Sequence, residues 1–295
     1  MEYMEFLDAV CEYVNDTTDD VRVSVHSAVK NNGVKLSGLS FSRKDYNASP
    51  TIYMENYYNE YRKGCDICEI GDRLLMLYKE NDLAVKIDMS FFDSFETVRD
   101  RIFLKLINRT QNTDFLKEVP FELFMDLAMV AYVRISDKKI GDGIIMVRNE
   151  HVNMWGVDAK TVIDTAKANT HDHDDYSIRH ISDVLVSMGS INLIPDAQTE
   201  ESFPMYVVTN GKMSNGAAVL TMSDRLKEYS DVIGGDYYVI PSSVHELILL
   251  AKSGEGQFGD LDSMIREVNA SSLGADDVLS DHAYLYSKKE GVLIF

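Results

Sequence analysis

The sequence predicts an α+β fold in which antiparallel hairpins are each followed by helices. Apolar runs rich in β-formers surround short polar turns near residues 21–41, 127–147 and 204–222, and Asn32-Gly33 is a strong type I′ turn signal. Apolar residues at helical spacing follow each pair. Strands joined by such short turns pair antiparallel, so we expect antiparallel sheets.

The first third of the chain shows the hairpin-then-helix order most clearly. A helix is predicted over residues 4–14, then strands over 21–25 and 34–41. Ser49-Pro50 predicts the start of a helix that ends at Gly64, and another runs from Ile67 to Tyr78. A further helix is predicted from Asp93, with its apolar stripe at Phe95, Val98, Ile102 and Leu106.

The remaining chain repeats this order and contains the predicted domain boundary. Helices are predicted over 159–166, 181–188 and 261–268, and after Ser223 up to Gly234-Gly235. Strand pairs are predicted around Asn210-Gly211 and Asn215-Gly216, around 241–243, and around 288–291. The polar segment from Pro195 to Ser202 is typical of a connection. We therefore predict an N-terminal α+β region over 1–195 and a C-terminal one over 203–295.

Composition limits the classes of partner. The 295 residues carry a net charge of −19, with ordinary contents of hydrophobic (45%) and charged (26%) residues. Lys and Arg form no cluster longer than Lys138-Lys139 or Lys288-Lys289, so direct binding to nucleic acid is not expected. The excess of acidic residues either keeps the protein soluble or forms a surface that binds a basic protein partner.

The start of the chain and the cysteines predict a cytoplasmic location. Residues 1–14 are acidic and amphipathic, unlike a signal peptide, and no apolar run is long enough to cross a bilayer. Three cysteines are too few for a disulfide framework. Cys65-x-x-Cys68 has the spacing of half a zinc site or a redox pair. Free cysteines that serve as small apolar core residues are the simpler interpretation, because it needs no further metal ligands and no redox fold.

Several phrases spread over the chain resemble an uncharacterised bacterial family known as a domain of unknown function. They include Ser49-Pro50-Thr51-Ile52-Tyr53, Met154-Trp155-Gly156, Tyr206-Val207-Val208-Thr209-Asn210, Pro241-Ser242-Ser243-Val244-His245-Glu246 and Ser280-Asp281-His282. The resemblance covers nearly the full length. It implies an accessory gene of bacteria or their mobile elements and carries no catalytic residue with it.

Two histidine–carboxylate dipeptides suggest acid/base chemistry. His245-Glu246 and Asp281-His282 could supply a histidine oriented by a carboxylate, with Ser242, Ser243 or Ser280 as nucleophile. The alternative is that these residues satisfy buried backbone groups around a turn. Convergence in one open cleft would distinguish a hydrolase from a structural role.

The segment Thr170-His171-Asp172-His173-Asp174-Asp175 is the strongest local signal for a metal. His171, His173 and Asp175 have the H-x-H-x-D spacing of metal-dependent hydrolases, and imidazole with carboxylate suits zinc. The following position is Tyr176 where that motif has another histidine, so a solvated acidic loop between helices is the competing interpretation. The sequence has no P-loop, and no cofactor is expected.

A set of tyrosines could stack on bases or sugars, but its helical spacing is more typical of a core with hydroxyls at its rim: Tyr53, Tyr57, Tyr58 and Tyr61.

A strong negative net charge without a catalytic motif favours a non-enzymatic interaction protein with a basic partner. A hydrolase that uses His245, Glu246, Asp281 and His282 is the alternative, and a metal-dependent hydrolase at His171, His173 and Asp175 is a second one.

Overall fold

The computed structural model describes residues 1–44, 46–47, 49–80, 86–137, 141–187, 205–241, 243–252 and 260–295. The fold is α+β and its sheets are antiparallel, as predicted. Contacts divide the chain into two compact units. The first comprises Met1–Phe92 with Ile135–Gly143, and the second comprises Asp93–Arg134 with Ile144–Phe295.

The first unit combines a three-stranded sheet with three helices. Its helices are α1 (Tyr3–Thr17), α2 (Glu55–Arg62) and α3 (Ile67–Glu80), and its strands are β1 (Arg22–Val29), β2 (Lys35–Ser42) and β3 (Thr51–Tyr53), in the order β1-β2-β3. Asn32 and Gly33 both have positive φ, 60° and 70°, as a type I′ turn requires. The predicted first hairpin is therefore confirmed.

Helix α1 forms because its apolar residues recur every three to four positions and face the sheet and α3. The core of this unit consists of side chains from α1, β2 and α3 that are fully buried: Phe6, Leu7, Val10, Val14, Leu39, Phe41, Ile70 and Leu74. Gly71 of α3 allows close packing, since a Cβ there would lie 2.3 Å from the Tyr13 ring.

The prediction of one helix after Ser49-Pro50 is wrong in its first part. Thr51–Tyr53 forms strand β3, which pairs with β2, and helix α2 begins only at Glu55. The short run Thr51-Ile52-Tyr53 is rich in β-formers, and pairing with β2 outweighs the local helix-start signal.

After residue 92 the chain forms two further sheets. The strands are β4 (Ile102–Asn108), β5 (Phe121–Phe124), β6 (Leu127–Asp137), β7 (Gly141–Met146), β8 (Tyr176–His180), β9 (Met205–Asn210), β10 (Tyr237–Ile240), β11 (Leu247–Ala251), β12 (Tyr284–Ser287) and β13 (Val292–Ile294). One sheet has the order β4-β6-β5, with β7 also paired to β6, and the other has the order β13-β12-β10-β11-β9-β8.

The helices of this part are α4 (Phe95–Val98), α5 (Asn149–Trp155), α6 (Ala159–His173), α7 (Ile181–Ser187), α8 (Ser223–Ile233) and α9 (Leu261–Ser272). Helix α8 ends at Gly234, whose φ of 90° forms a left-handed cap, as the Gly-Gly signal predicted. The predicted strand pairs β10–β11 and β12–β13 are confirmed.

The predicted helix from Asp93 to Leu106 is mostly wrong. Helix α4 ends at Val98, and Ile102 and Leu106 lie in strand β4. Six of the seven β4 residues are buried, so both faces of the strand are covered and its sequence does not alternate. A run of this kind, apolar except for Lys105 and Asn108, matches helical spacing as readily as strand spacing.

The hairpin predicted after Met205 is also corrected. Strand β9 pairs with β8 and β11, and residues Gly216–Thr221 form a 3₁₀ helix instead of the returning strand. The N–H groups of Gly216 and Ala217 donate to the carbonyls of His245 and Val244. The segment is therefore held by a distant part of the chain.

Helix α6 binds strand β4 through side chains near its C-terminal end. The Leu104 N–H donates to Thr170 Oγ1 at 2.8 Å, and Asn169 Nδ2 donates to the carbonyls of Arg99 and Ile102 at 2.7 and 2.8 Å. Thr170 is fully buried. These bonds fix the end of α6 and the residues that follow it.

The predicted connection at 195–203 lies outside the described residues, so a division of the chain there stays a prediction. Strands β8 and β9, on either side of it, pair in one sheet. Among the described helices, none is both long and apolar enough to span a membrane.

Candidate functional site

The His245 side chain is held by the protein on both ring nitrogens. Its Nδ1 accepts the Asn215 N–H at 3.3 Å, so Nε2 carries the proton and donates to Asp277 Oδ1 at 3.1 Å. The His245 carbonyl accepts the Thr209 hydroxyl and the Gly216 N–H. A general base needs a free nitrogen facing the substrate, and Nδ1 is already occupied by a backbone donor.

The second dipeptide has a separate set of partners. His282 Nδ1 lies 3.0 Å from Asp262 Oδ2, and Asp262 Oδ1 accepts the Ala283 N–H. Asp281 Oδ1 accepts Asn269 Nδ2 at 2.8 Å. Both residues therefore connect helix α9 to the segment that leads into β12.

The two dipeptides lie toward opposite ends of two paired segments. Ser243 pairs antiparallel with Val278, and the Ser280 N–H donates to the Pro241 carbonyl. On one side of this bridge His245 bonds to Asp277, and on the other side Asp281 bonds to Asn269 of α9, so the two dipeptides use different partners.

The candidate serine nucleophiles that the structure describes are buried. Ser280 is 0% exposed, donates its hydroxyl to Asp126 Oδ2 at 2.7 Å and accepts the His282 N–H. Asp126 also accepts the Tyr284 hydroxyl at 2.5 Å, and burial raises the Tyr284 pKa. Ser243 accepts the His245 N–H, and Ser242 lies outside the described residues.

The His171 segment is the last turn of helix α6 and leads into strand β8, so the prediction of a loop between helices is wrong. Residues two apart on a helix do not face each other, so His171 and His173 point apart. No group of three or more potential metal ligands is found among the described residues. The described structure therefore does not gather His171, His173 and Asp175 into one ligand group, and a metal site there stays a prediction.

His171 instead connects α6 to α8. Its Nδ1 and Nε2 each lie 2.9 Å from a carboxylate oxygen, of Asp172 and Asp224 respectively. Hydrogen bonds to Asp172 and then Asp224 raise the His171 pKa, and the bond from His171 lowers the pKa of Asp224. The protonated imidazole, which donates from both nitrogens, is the form that this geometry favours.

Among the ion pairs of the described residues, the most deeply buried one was not predicted. Arg134 of β6 forms a bidentate pair with Asp174 at 2.6 and 2.9 Å, and their side chains are 17% and 5% exposed. The guanidinium lies 3.5 Å from the centre of the Phe103 ring and donates to Tyr132 Oη. Desolvation lowers the Arg134 pKa, but the hydrogen bonds and charge interactions with Asp174 and Tyr132 together outweigh it, and the pKa is raised. An arginine inside the apolar run Ala131–Ile135 was the available signal.

The cysteine pair has no features of a reactive site. Burial raises the pKa of the Cys65 thiol, and a hydrogen bond to Asp66 raises that of Cys68. Both cysteines are free, and Arg73 donates to Cys65 Sγ at 3.5 Å. A reactive cysteine needs a lowered pKa, so these shifts favour structural thiols.

Helix α1 presents a row of carboxylates to solvent, termed the acidic face: Glu5, Asp8, Glu12 and Asp16, all exposed. At 100° per residue they fall within about 80° of the helix circumference, and along the axis they span about 16 Å. Residues 1–21 contain no Lys or Arg. The ion pair Arg73–Glu60 of the same unit uses a carboxylate outside this face.

A groove of about 810 Å³ lies at the start of α1, and its lining includes Glu2, Tyr58, Tyr61, Arg62 and Asp66. The two tyrosine rings are stacked, with centroids 6.3 Å apart. Both rings also contact Phe6 of the core at 5.2–5.3 Å. Tyr58 and Tyr61 are therefore partly core residues that also present aromatic surface to the groove, whereas Tyr53 lies in β3.

Comparison with known proteins gives a family match over residues 3–288, described as a family of unknown function, DUF5688. This confirms the full-length resemblance seen in the sequence. The chain matches no curated protein and no solved structure.

Proposed function

This chain belongs to DUF5688, a family of unknown function, and from its own residues we propose that it is a non-enzymatic interaction protein whose acidic face binds a basic protein partner. The observation that carries the proposal is the row of four exposed carboxylates on α1 in a segment without Lys or Arg. Regularly spaced charge on a rigid helix attracts and orients an oppositely charged surface.

The setting that we propose is the bacterial cytoplasm, in an accessory or mobile-element context. The family resemblance and the small number of cysteines, three in 295 residues, support it. Direct binding to nucleic acid is disfavoured by the net charge of −19. A partner that itself binds nucleic acid has the complementary charge.

The hydrolase alternative draws less support from the same coordinates. His245 has one nitrogen occupied by a backbone N–H and the other by Asp277, and Ser280 donates its hydroxyl to Asp126. If the chain were a hydrolase at this site, His245→Gln would abolish turnover of an ester or peptide substrate while binding to a basic partner remained.

The proposal is tested with a variant that neutralises the acidic face: Glu5→Gln, Asp8→Asn, Glu12→Gln and Asp16→Asn together. A matched control removes the same number of charges from exposed carboxylates of the other unit: Glu96→Gln, Asp100→Asn, Asp114→Asn and Glu150→Gln. Both variants change the net charge equally, and they differ in the position of the removed charges and in the exposed ion pairs that the control also loses.

Each protein is immobilised and exposed to a bacterial lysate, and each retained protein is purified and titrated by fluorescence anisotropy. We expect a basic partner that binds the wild type and the control, is released by salt, and binds the neutralised variant weakly. Exposed charges are screened within about 8 Å at physiological ionic strength, which gives the salt dependence. Equal affinity for both variants, or binding that salt does not change, would refute the proposal.

A further inference from the structure

The groove at the start of α1 adjoins the acidic face, because Glu2 lines the groove and lies three residues before Glu5. Glu2 and Asp66 place two carboxylates in its lining, beside the stacked rings of Tyr58 and Tyr61. Carboxylates next to aromatic faces are the groups that bind a guanidinium or ammonium.

We propose that this groove receives an Arg or Lys side chain of the basic partner and is the anchoring pocket of the interface. The inference rests on the proposed function and specifies where the partner is held most tightly. Interfaces concentrate their binding energy in a few such pockets, where an Arg inserted among aromatic side chains contributes more than exposed charges at the rim.

The two carboxylates remain able to accept a cation although both cap helices. Asp66 Oδ1 accepts the Cys68 N–H at 2.8 Å, and Glu2 caps the first turn of α1. An ionised carboxylate has two oxygens and about four acceptor positions, so one capping bond leaves room for a ligand N–H.

The two tyrosine rings that form the aromatic wall are packed against the core without a ligand. Phe6 is fully buried and contacts both rings, and the Tyr58 hydroxyl donates to the Met1 carbonyl at 3.0 Å. A preformed wall reduces the entropy lost on binding.

Arg62 provides a test of the sign of the ligand charge. It is exposed, lies in the last turn of α2 and lines the same groove. A cationic ligand is repelled by Arg62, whereas an anionic ligand would be attracted by it. Arg62→Gln therefore strengthens binding of a cation and weakens binding of an anion.

The test measures binding of a fluorescein-labelled Arg-Ser repeat peptide to the full chain by anisotropy, at low ionic strength. Tyr61→Leu removes the aromatic face at unchanged charge and is expected to weaken binding by roughly 2- to 30-fold. Tyr61→Phe keeps the ring and is the matched control, with affinity equal to wild type. Arg62→Gln is expected to bind more tightly than wild type.

Thermal unfolding of each variant checks that the core against Phe6 is intact, and the Tyr61→Phe and Arg62→Gln results hold even if Tyr61→Leu unfolds. Weaker binding by Arg62→Gln, or wild-type binding by folded Tyr61→Leu, would overturn the anchoring pocket. If the neutralised acidic-face variant still loses affinity in that case, the proposed function stands. If that variant binds the peptide like wild type, the proposed function itself fails.

Discussion

Removing the negative charge of Asp174 is expected to be the most destabilising single change in the Arg134 cluster. Asp174→Asn keeps the shape but leaves the Arg134 guanidinium without its bidentate partner, in a place where the side chains are only 5% and 17% exposed. The Asn210 amide, which donates to Asp174 Oδ2 at 3.2 Å, loses a charged acceptor as well. Removing one partner of a buried ion pair lowers the free energy of unfolding by about 3–5 kcal/mol. Because the Asn side chain still offers an amide oxygen to Arg134, we expect a loss of about 3 kcal/mol.

Circular dichroism during heating measures the effect. In a unit of this size, each kcal/mol of lost stability lowers the unfolding midpoint by about 2–4 °C, so Asp174→Asn should lower it by roughly 6–12 °C. Asp114→Asn is the control, because its partner Lys117 and Asp114 itself are 75% and 93% exposed, and its midpoint should match wild type. The double variant Arg134→Met/Asp174→Leu should be more stable than Asp174→Asn, since it removes both charges together. A midpoint for Asp174→Asn equal to that of the control would refute this reasoning.

Three further outcomes are expected. Gly71→Ala should destabilise by about 1–3 kcal/mol in urea unfolding, because its Cβ would lie 2.3 Å from the Tyr13 ring, whereas Gly235→Ala meets open space and should have little effect. The pKa of His171 is raised in the folded protein, so protonated His171 stabilises the fold fully below the unfolded pKa of about 6.5, and this stabilisation is lost as pH rises through the folded pKa. His171→Gln should therefore lower the thermal unfolding midpoint near pH 6 and match wild type near pH 9. Limited proteolysis should cut first between residues 196 and 202, and a first internal cut elsewhere would contradict the predicted connection.

Turn residues and apolar spacing predicted the elements whose conformation depends mainly on neighbouring residues in the sequence. The turn at Asn32-Gly33 requires two positive φ angles, which Asn and Gly adopt readily, and helix α1 follows directly from its apolar spacing. Strand β4 was missed because burial on both faces removes the alternation by which strands are recognised. Strand β8 was missed because its pairing with β9 joins segments that are far apart in the sequence.

The same distinction applies to the candidate site. The H-x-H-x-D spacing around His171 predicted a metal site. The residue of this segment that carries a buried charge is Asp174, and its partner Arg134 lies 40 positions earlier. A pattern search over adjacent residues cannot connect the two. An arginine within an apolar strand indicates only that a partner exists, and the fold is needed to identify it.

Helix α6 also has a consequence for how the chain behaves while it folds. Strand β4 is at the end of its sheet in the described part of the chain, and its run Ile102–Ile107 is apolar except for Lys105, which makes it a template for pairing between molecules. Thr170 and Asn169 occupy the backbone groups through which a second chain would attach. A nascent or partly unfolded chain that has not yet placed α6 therefore leaves the edge of β4 open to pairing with other chains, and faster docking of α6 shortens the time in which such pairing can occur.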